Sequence, residues 1–288
     1  GAKLAIKQVN AKGGVLGKQI TLVVADNKSD TAEAANAMQK LATQDKVIAS
    51  IAPIASSSVM AAAQVNESAK ILGISPTASN PNVTVDPETG KVRDYLFRAT
   101  FIDPFQGAVM ANFAKNTLKA QKAAVYIENS SDYAKGLGKF FKETFVQNGG
   151  NIVSDEAYLA KDTDFKATLT KIKASNPDVI FVPGYYQEVG MIIKQAREIG
   201  ITVPILGADG WDSAKLPEIA GAEALNNTFF SNHYSPDDNS PEIKNFVEAY
   251  KAEYGQVPDA FAALSYDATM MIIEAIKRAG VEDSVKVK

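Results

Sequence analysis

The residues best suited to chemistry lie in two hydroxyl-rich turns, each of which follows a short apolar segment. Ala-Ser-Ser-Ser at 55–58 follows the apolar residues 47–51, and Ser-Pro-Thr-Ala-Ser at 75–79 follows residues 71–74. If a helix joins the two segments, they are parallel strands and both turns lie at the carboxyl edge of one sheet, where open α/β sheets bind ligands. Hydroxyls beside the free first amides of a helix favour a carboxylate or phosphate ligand. The alternative is that the serines only cap the helix.

A second set of candidates follows predicted strands in the later half of the chain: Tyr133, Tyr185, Asp209 and Trp211. A buried ammonium needs a carboxylate partner, and Asp209 is the candidate because Asp132 more simply caps its helix. The aromatic rings would wall a pocket and add cation–π attraction, with core or interdomain packing as their alternative role. Together the two sets predict a zwitterionic ligand with a side chain, which is an α-amino acid.

The common catalytic and metal-binding patterns are absent from the sequence. Residues 13–18 resemble a phosphate-binding loop but lack its spacing, and neither Gly-x-Gly-x-x-Gly after a strand nor Gly-x-Ser-x-Gly occurs. The single histidine, His233, cannot form a metal cluster alone, and its place in a loop predicts an exposed or hinge-region side chain. No base is evident beside the serines. The sequence therefore favours a binding protein over an enzyme, with no cofactor and no metal.

The composition limits the class of protein. A chain of 288 residues exceeds the usual size of a single core, which favours two domains. The net charge of -3 gives no sign of a nucleic-acid partner, and no apolar run reaches the roughly 20 residues of a membrane span. The absence of cysteine excludes disulfides and thiol chemistry, and it fits an exported bacterial protein.

Strand patterns and helix patterns alternate along nearly the whole chain, which predicts an α/β fold with two doubly wound parallel sheets. The strands carry Val/Ile/Leu runs without strict alternation, as expected for sheets covered on both faces. The predicted strands are residues 19–25, 47–51, 71–74, 95–100, 123–127, 152–159, 179–182, 204–206 and 228–231. The predicted helices are residues 1–12, 31–44, 59–69, 104–118, 132–147, 165–174, 187–199, a short helix to 219, 241–254 and 262–279.

Several stretches match one protein family in the same order along nearly the whole chain. They are Gly-Ala-Lys-Leu-Ala at 1–5, Asn-Ala-Lys-Gly-Gly at 10–14, both hydroxyl-rich turns, Phe-Arg-Ala-Thr at 97–100, Asp-Tyr-Ala-Lys-Gly at 132–136, Gly-Tyr at 184–185, Lys-Gln-Ala-Arg at 194–197, Gly-Ala-Asp-Gly-Trp at 207–211, Asp-Ala-Phe at 259–261 and Ser-Tyr-Asp at 265–267. Through them the chain resembles the branched-chain amino acid-binding proteins of bacterial ABC transporters, the Leu/Ile/Val-binding family with the type I periplasmic-binding-protein fold.

The resemblance implies a role for each candidate near the hydroxyl-rich turns. Ser56 and Ser79 would hold the ligand carboxylate. Thr77 and Ala78 would present backbone groups to the carboxylate and the ammonium, and Phe261 would border the side-chain pocket. In the later half of the chain, the acid at 209 would pair with the ammonium and the tyrosines at 133 and 185 would close over the ligand.

The resemblance also implies two lobes joined by a hinge, with crossovers near residues 99–103 and 231–235. Residues 1–102 and 233–288 would form the anion-binding lobe, and residues 103–232 would form the aromatic and carboxylate lobe. The expected function is that of an exported solute-binding protein, periplasmic or at the cell surface. It would be a monomer that carries a branched-chain, aromatic or other apolar amino acid to a membrane permease, with no nucleic-acid partner.

The sequence departs from the family pattern at both ends. The family has one more strand before the first helix and a tail that returns to the second lobe, and both are missing here. Part of the pocket wall is therefore expected to be absent. The sequence is expected either to have lost an export signal or to be a fragment. Two alternatives stay open: a sensor or regulatory domain on the same fold that binds an amino acid or amide, and an enzyme that turns over its ligand.

Overall fold

The computed structural model describes all residues from 1 to 288, and the chain forms two compact units. Unit 1 comprises Gly1–Thr100 and Tyr234–Lys288, and unit 2 comprises Phe101–His233. No helix combines the length and the apolar character needed to cross a membrane. The helices are α1 (Ala2–Ala11), α2 (Thr31–Thr43), α3 (Ser56–Ala69), α4 (Asp103–Asn112), α5 (Asp132–Gln147), α6 (Lys166–Ala174), α7 (Tyr186–Glu198), α8 (Lys215–Ala220), α9 (Pro241–Tyr254), α10 (Ala260–Ala279) and α11 (Ser284–Val287). The strands are β1 (Ala49–Ile51), β2 (Leu72–Ser75), β3 (Leu96–Arg98), β4 (Lys122–Glu128), β5 (Asn151–Tyr158), β6 (Val179–Phe181), β7 (Ile205–Gly207) and β8 (Thr228–Phe230).

Unit 1 contains a three-stranded parallel sheet in the order β1-β2-β3. Ile51 lies opposite Ile74 and Ser75 lies opposite Arg98, so the strands end at a common edge. The sheet is covered on both faces because α1 and α10 pack with β2 in one core cluster, whereas α3 packs with Leu96 in another. Both hydroxyl-rich turns therefore lie at the carboxyl edge, as parallel pairing predicts.

The predicted strand at residues 19–25 is wrong, because this segment pairs with no other strand. It lies across a groove of about 500 Å³ from β1, and residues 19–23 and 46–51 line the two sides of that groove. Ile20 packs against a core cluster, but Leu22, Val23 and Val24 are partly or largely exposed, and Val24 is 71% exposed. A strand requires a ladder partner, and β1 is the outermost strand of its sheet. The local pattern was suited to a strand, but the hydrogen-bonding neighbour is missing.

Unit 2 contains a five-stranded parallel sheet in the order β5-β4-β6-β7-β8. Successive residues of β4 face two different cores: Ala123 and Val125 belong to one cluster, and Ala124 and Tyr126 belong to the other. Helices cover both faces, so residues 123–127 of β4 and all of β6 are apolar and the sequence shows runs instead of alternation. The predicted α/β class with two parallel sheets is confirmed.

Most other predicted elements occur within a few residues of their predicted ends. The helix predicted at 104–118 is α-helical only to Asn112 and continues as one π-helical turn, Phe113–Thr117. The short α11 was not predicted, and the Ser284 hydroxyl at its start accepts a hydrogen bond of 2.7 Å from the Leu72 amide. Single 3₁₀ turns follow the second hydroxyl-rich segment, at Pro81–Val83, and β7, at Asp209–Trp211.

Candidate functional site

The serines after β1 do not act as a side-chain cap of α3. The helix begins at Ser56, its N-cap residue is Ala55, and no side-chain cap bond is formed. The buried Ser56 hydroxyl instead accepts a hydrogen bond of 3.3 Å from the Asn80 amide in the second turn. The first serine therefore connects the two turns instead of closing its own helix.

Two further hydroxyls fasten the second turn to the first. Ser75 Oγ donates to the Pro53 carbonyl at 2.9 Å and accepts from the Ala78 amide at 3.1 Å. Thr77 Oγ1 donates to the Ile54 carbonyl at 2.9 Å. The turns are thus held together by side-chain to backbone bonds, which fixes the direction of their amides.

Ser79 is the exception among these hydroxyls. Its side chain is 0% exposed, and its Oγ has no hydrogen-bond partner. A buried polar atom without a partner costs about 1–3 kcal/mol, so native proteins rarely keep one that no ligand, ion or water satisfies. The Ser79 hydroxyl is therefore a donor available to a bound group.

Arg98, at the end of β3, holds the second turn from the other side. Its guanidinium donates to the carbonyls of Ala78 (3.3 Å), Asn80 (2.9 Å) and Pro81 (3.1 Å), and to Thr84 Oγ1 (2.5 Å). A planar fork with five donors suits several carbonyls that converge in this way. By binding the carbonyls, Arg98 orients the turn and brings a positive charge close to it. The sequence analysis quoted Arg98 within a matched stretch but gave it no role.

Phe261 is the second residue of α10 and is half-buried. Asp259 caps this helix by accepting a hydrogen bond of 2.8 Å from the Ala262 amide. No hydrogen bond or ring contact joins Phe261 to the hydroxyl-rich turns, so its role beside the ligand side chain stays a prediction.

In unit 2, Asp209 is buried directly after β7, at the start of the 3₁₀ turn. Its Oδ1 accepts hydrogen bonds of 2.8 Å from the Tyr133 hydroxyl and from Gln106 Nε2. Its Oδ2 lies 3.3 Å from His233 Nε2. The Tyr133 hydroxyl also accepts a bond of 2.9 Å from the Gly210 amide. Three side chains of unit 2, from α4, α5 and the segment after β8, thus converge on one carboxylate.

The two predicted tyrosines lie together beside this carboxylate. The Tyr133 and Tyr185 rings stack with their centroids 5.2 Å apart and an interplanar angle of 25°. Burial raises the pKa of both phenols far above the ordinary value, and the negative charge of Asp209 raises each pKa further. Both hydroxyls therefore stay protonated at neutral pH, and that of Tyr133 donates to Asp209. The structure brings Tyr133, Tyr185 and Asp209 into one cluster.

Trp211 belongs to the core of unit 2. Its side chain is 0% exposed, and its indole Nε1 donates to the Val182 carbonyl at 3.0 Å. The ring lies against Gly207, where an added Cβ would come within 1.9 Å of the indole. This packing gives Trp211 a structural role, and its role as a pocket wall stays a prediction.

Gln106 and His233 are the residues of this cluster that the sequence analysis missed. Gln106 is 1% exposed, and its Oε1 has no hydrogen-bond partner although its Nε2 is bound to Asp209. Of the two expected positions of His233, the exposed one is wrong, because its side chain is only 5% exposed, whereas the hinge-region one agrees with its place as the last residue of unit 2. The His233 side chain is buried against Asp209 and the Phe101 ring. The Phe101 and His233 rings stack with their centroids 3.8 Å apart. Neither partner is close to His233 in the sequence.

Comparisons with known proteins place these features in context. The family model described as periplasmic binding protein matches residues 1–288. The leucine-specific-binding protein of Salmonella typhimurium is 31% identical over 280 residues, which are 96% of this chain and 73% of that protein. The Leu/Ile/Val-binding protein of Escherichia coli K12 is 30% identical over 272 residues, which are 93% of this chain and 71% of that protein.

Two solved structures are similar over 99% of this chain. One is the branched-chain amino acid transporter substrate-binding protein LivJ of Streptococcus pneumoniae in complex with isoleucine, with 42% identity, a TM-score of 0.91 and 79% of that chain covered. The other is the leucine-binding protein LivK of Thermotoga maritima, with 39% identity, a TM-score of 0.92 and 80% of that chain covered.

Proposed function

Because the chain belongs to the periplasmic binding protein family, we propose that it binds a branched-chain α-amino acid and delivers it to the membrane permease of an ABC importer. Similar proteins are named for binding leucine, isoleucine and valine, and one similar structure contains isoleucine. The protein acts outside the cytoplasm, binds its ligand without chemical turnover, and presents the loaded form to the permease.

The observation that carries the proposal is the buried Ser79 hydroxyl without a partner. A hydroxyl donates well to a carboxylate, and the fixed amides of the two hydroxyl-rich turns are further donors of the same kind. The proposal assigns the ligand carboxylate to Ser56 and Ser79, and it assigns backbone groups of Thr77 and Ala78 to the carboxylate and the ammonium. Arg98 supports this assignment because it orients the turn and adds positive charge.

A complementary feature in unit 2 supports binding of an ammonium. Asp209 is a buried carboxylate, and Gln106 adds a buried Oε1 acceptor without a partner. A buried ammonium needs both a negative charge and hydrogen-bond acceptors. The proposal assigns the ligand ammonium to Asp209 and Gln106, with the rings of Tyr133 and Tyr185 beside it.

The proposal is tested by calorimetry with leucine, isoleucine, valine and phenylalanine on the wild type and on Ser79→Ala. Hydrogen bonds to a charged group contribute about 1.5–3 kcal/mol, so the variant should bind leucine roughly tenfold to a hundredfold more weakly. Its thermal stability should be unchanged or slightly higher, because the hydroxyl bonds to nothing in the protein. The matched control is Ser68→Ala, since Ser68 is an exposed serine near the end of α3 and lies outside both hydroxyl-rich turns.

Ligand analogues test each assignment separately. Removal of the amino group gives 4-methylpentanoate, which should bind Asp209→Asn and the wild type with similar weak affinity, while leucine should lose affinity for the variant. Undiminished leucine binding by both Ser79→Ala and Asp209→Asn would contradict the proposal. A ligand that is converted to a new product during long incubation, detected by mass spectrometry, would contradict binding without turnover.

A further inference from the structure

The two carboxylate oxygens of Asp209 have different partners. Oδ1 accepts two hydrogen bonds of 2.8 Å from neutral donors, Tyr133 and Gln106. Oδ2 faces His233 Nε2 at 3.3 Å, and the two side chains are only 4–5% exposed. Asp209 is thus paired inside unit 2 with an imidazole, a group that can be neutral or carry a positive charge.

His233 is held in place opposite the carboxylate. Its ring stacks on Phe101 with a centroid distance of 3.8 Å and an interplanar angle of 20°. Its amide donates to its neighbour Asn232 Oδ1 at 2.8 Å, and Asn232 Nδ2 donates to Asp212 at 2.9 Å. The chain enters unit 2 at Phe101 and leaves it after His233, so the stacked pair lies where both connections begin.

We propose that protonated His233 is an internal counter-ion of Asp209 that competes with the ligand ammonium, so that binding requires its deprotonation. This inference rests on the proposed function and identifies a residue that regulates the same site. When His233 carries a proton, it already balances the charge of Asp209, and an added ammonium would leave this pair with one excess positive charge. Binding therefore releases the proton from the imidazolium to the solvent, and the remaining Nε2–H donates to Oδ2.

The other titratable groups around the pair do not replace His233 in this role. Tyr133 and Tyr185 stay neutral because their pKa values are raised. Asp103, at the start of α4, and Glu128 are further acids whose charges raise the pKa of Tyr185. Asp212 is bound to Asn232. Among these groups, His233 is the only base.

The experiment compares the wild type with His233→Gln, which keeps a nitrogen donor but cannot titrate. Leucine binding is measured by calorimetry from pH 5.0 to 7.5, and at pH 6.0 in two buffers of different ionisation enthalpy to count released protons. The chain has one histidine, so the difference between the two proteins isolates its proton. The Gly1 amine, whose pKa is lowered by burial, titrates identically in both proteins.

The wild type should bind leucine at least tenfold more weakly at pH 5.0 than at pH 7.5, with net proton release at pH 6.0. The variant should change less than twofold over the same range and release less proton. A wild-type Kd that is constant with pH, or an equal dependence in the variant, would overturn the inference alone. A folded variant that has lost binding at every pH would also overturn it, because competition predicts retained binding. If the wild type binds no amino acid at any pH, the proposed function itself fails.

Discussion

The hydroxyl of Tyr133 performs two tasks in a buried place, so its removal should destabilise unit 2 strongly. It donates to Asp209 at 2.8 Å and accepts from the Gly210 amide at 2.9 Å. Loss of a bond to a charged group costs about 1.5–3 kcal/mol, and a buried amide left unpaired costs about 1–3 kcal/mol. Because the two effects overlap at one atom, Tyr133→Phe should lower the free energy of unfolding by about 3 kcal/mol.

The single tryptophan makes the measurement specific to this unit. Trp211 is fully buried in the core of unit 2, so its fluorescence during urea unfolding reports the loss of that core. The matched control is Tyr185→Phe, which removes the same atom from the ring stacked on Tyr133. No protein hydrogen bond to the Tyr185 hydroxyl is formed, so the control should lose under about 1 kcal/mol.

The result also bears on the proposed ligand site, because the Tyr133 hydroxyl donates to one oxygen of Asp209. A loss equal to that of Tyr185→Phe, or one below about 1 kcal/mol, would refute the reasoning that this hydroxyl satisfies two buried groups. Circular dichroism at equal urea concentrations would check that the fluorescence change follows unfolding and not a local change around the indole.

Two further predictions concern groups outside that cluster. Arg98→Lys should destabilise the second hydroxyl-rich turn by about 2 kcal/mol, because an ammonium cannot replace a guanidinium that donates to three carbonyls and one hydroxyl. Faster amide hydrogen exchange in residues 78–85 would show this effect, and unchanged exchange would contradict it. Burial raises the pKa of Glu128 despite its bond from Ser130, so the folded state prefers the protonated acid and unit 2 should lose stability as the pH rises from 4.5 towards neutrality. Glu128→Gln should remove that loss in urea unfolding followed by Trp211 fluorescence, and an unchanged pH profile would refute the assignment.

The sequence predicts elements well where burial alone decides them. The interior positions of the central strands of unit 2 are apolar because cores lie on both faces, as Ala124 and Val125 of β4 illustrate. The same local pattern fails at residues 19–25, because a strand depends on a hydrogen-bonding neighbour that its own residues do not specify. Long-range pairing, not propensity, decides whether such a segment becomes a strand.

The candidate site was also predictable only in part, because some of its residues depend on long-range contacts. Ser56, Ser79 and Asp209 could be identified because each lies in a turn after a parallel strand. Such turns lie at the carboxyl edge of the sheet, where ligands bind. Gln106 and His233 were not predictable, since their contacts with Asp209 span 103 residues in one case and depend on a ring stack with Phe101 in the other. An isolated glutamine or histidine carries no local signal of such a partner.

The open groove beside β1 has a consequence for handling the protein. The outer edge of β1 carries amides and carbonyls without a strand partner. The neighbouring residues Leu22, Val23 and Val24 are apolar and exposed. Such an edge strand is a template with which a strand of another chain can pair. We expect aggregation at high concentration to start at this edge. Val24→Lys should delay the onset of turbidity in concentrated samples without altering ligand binding.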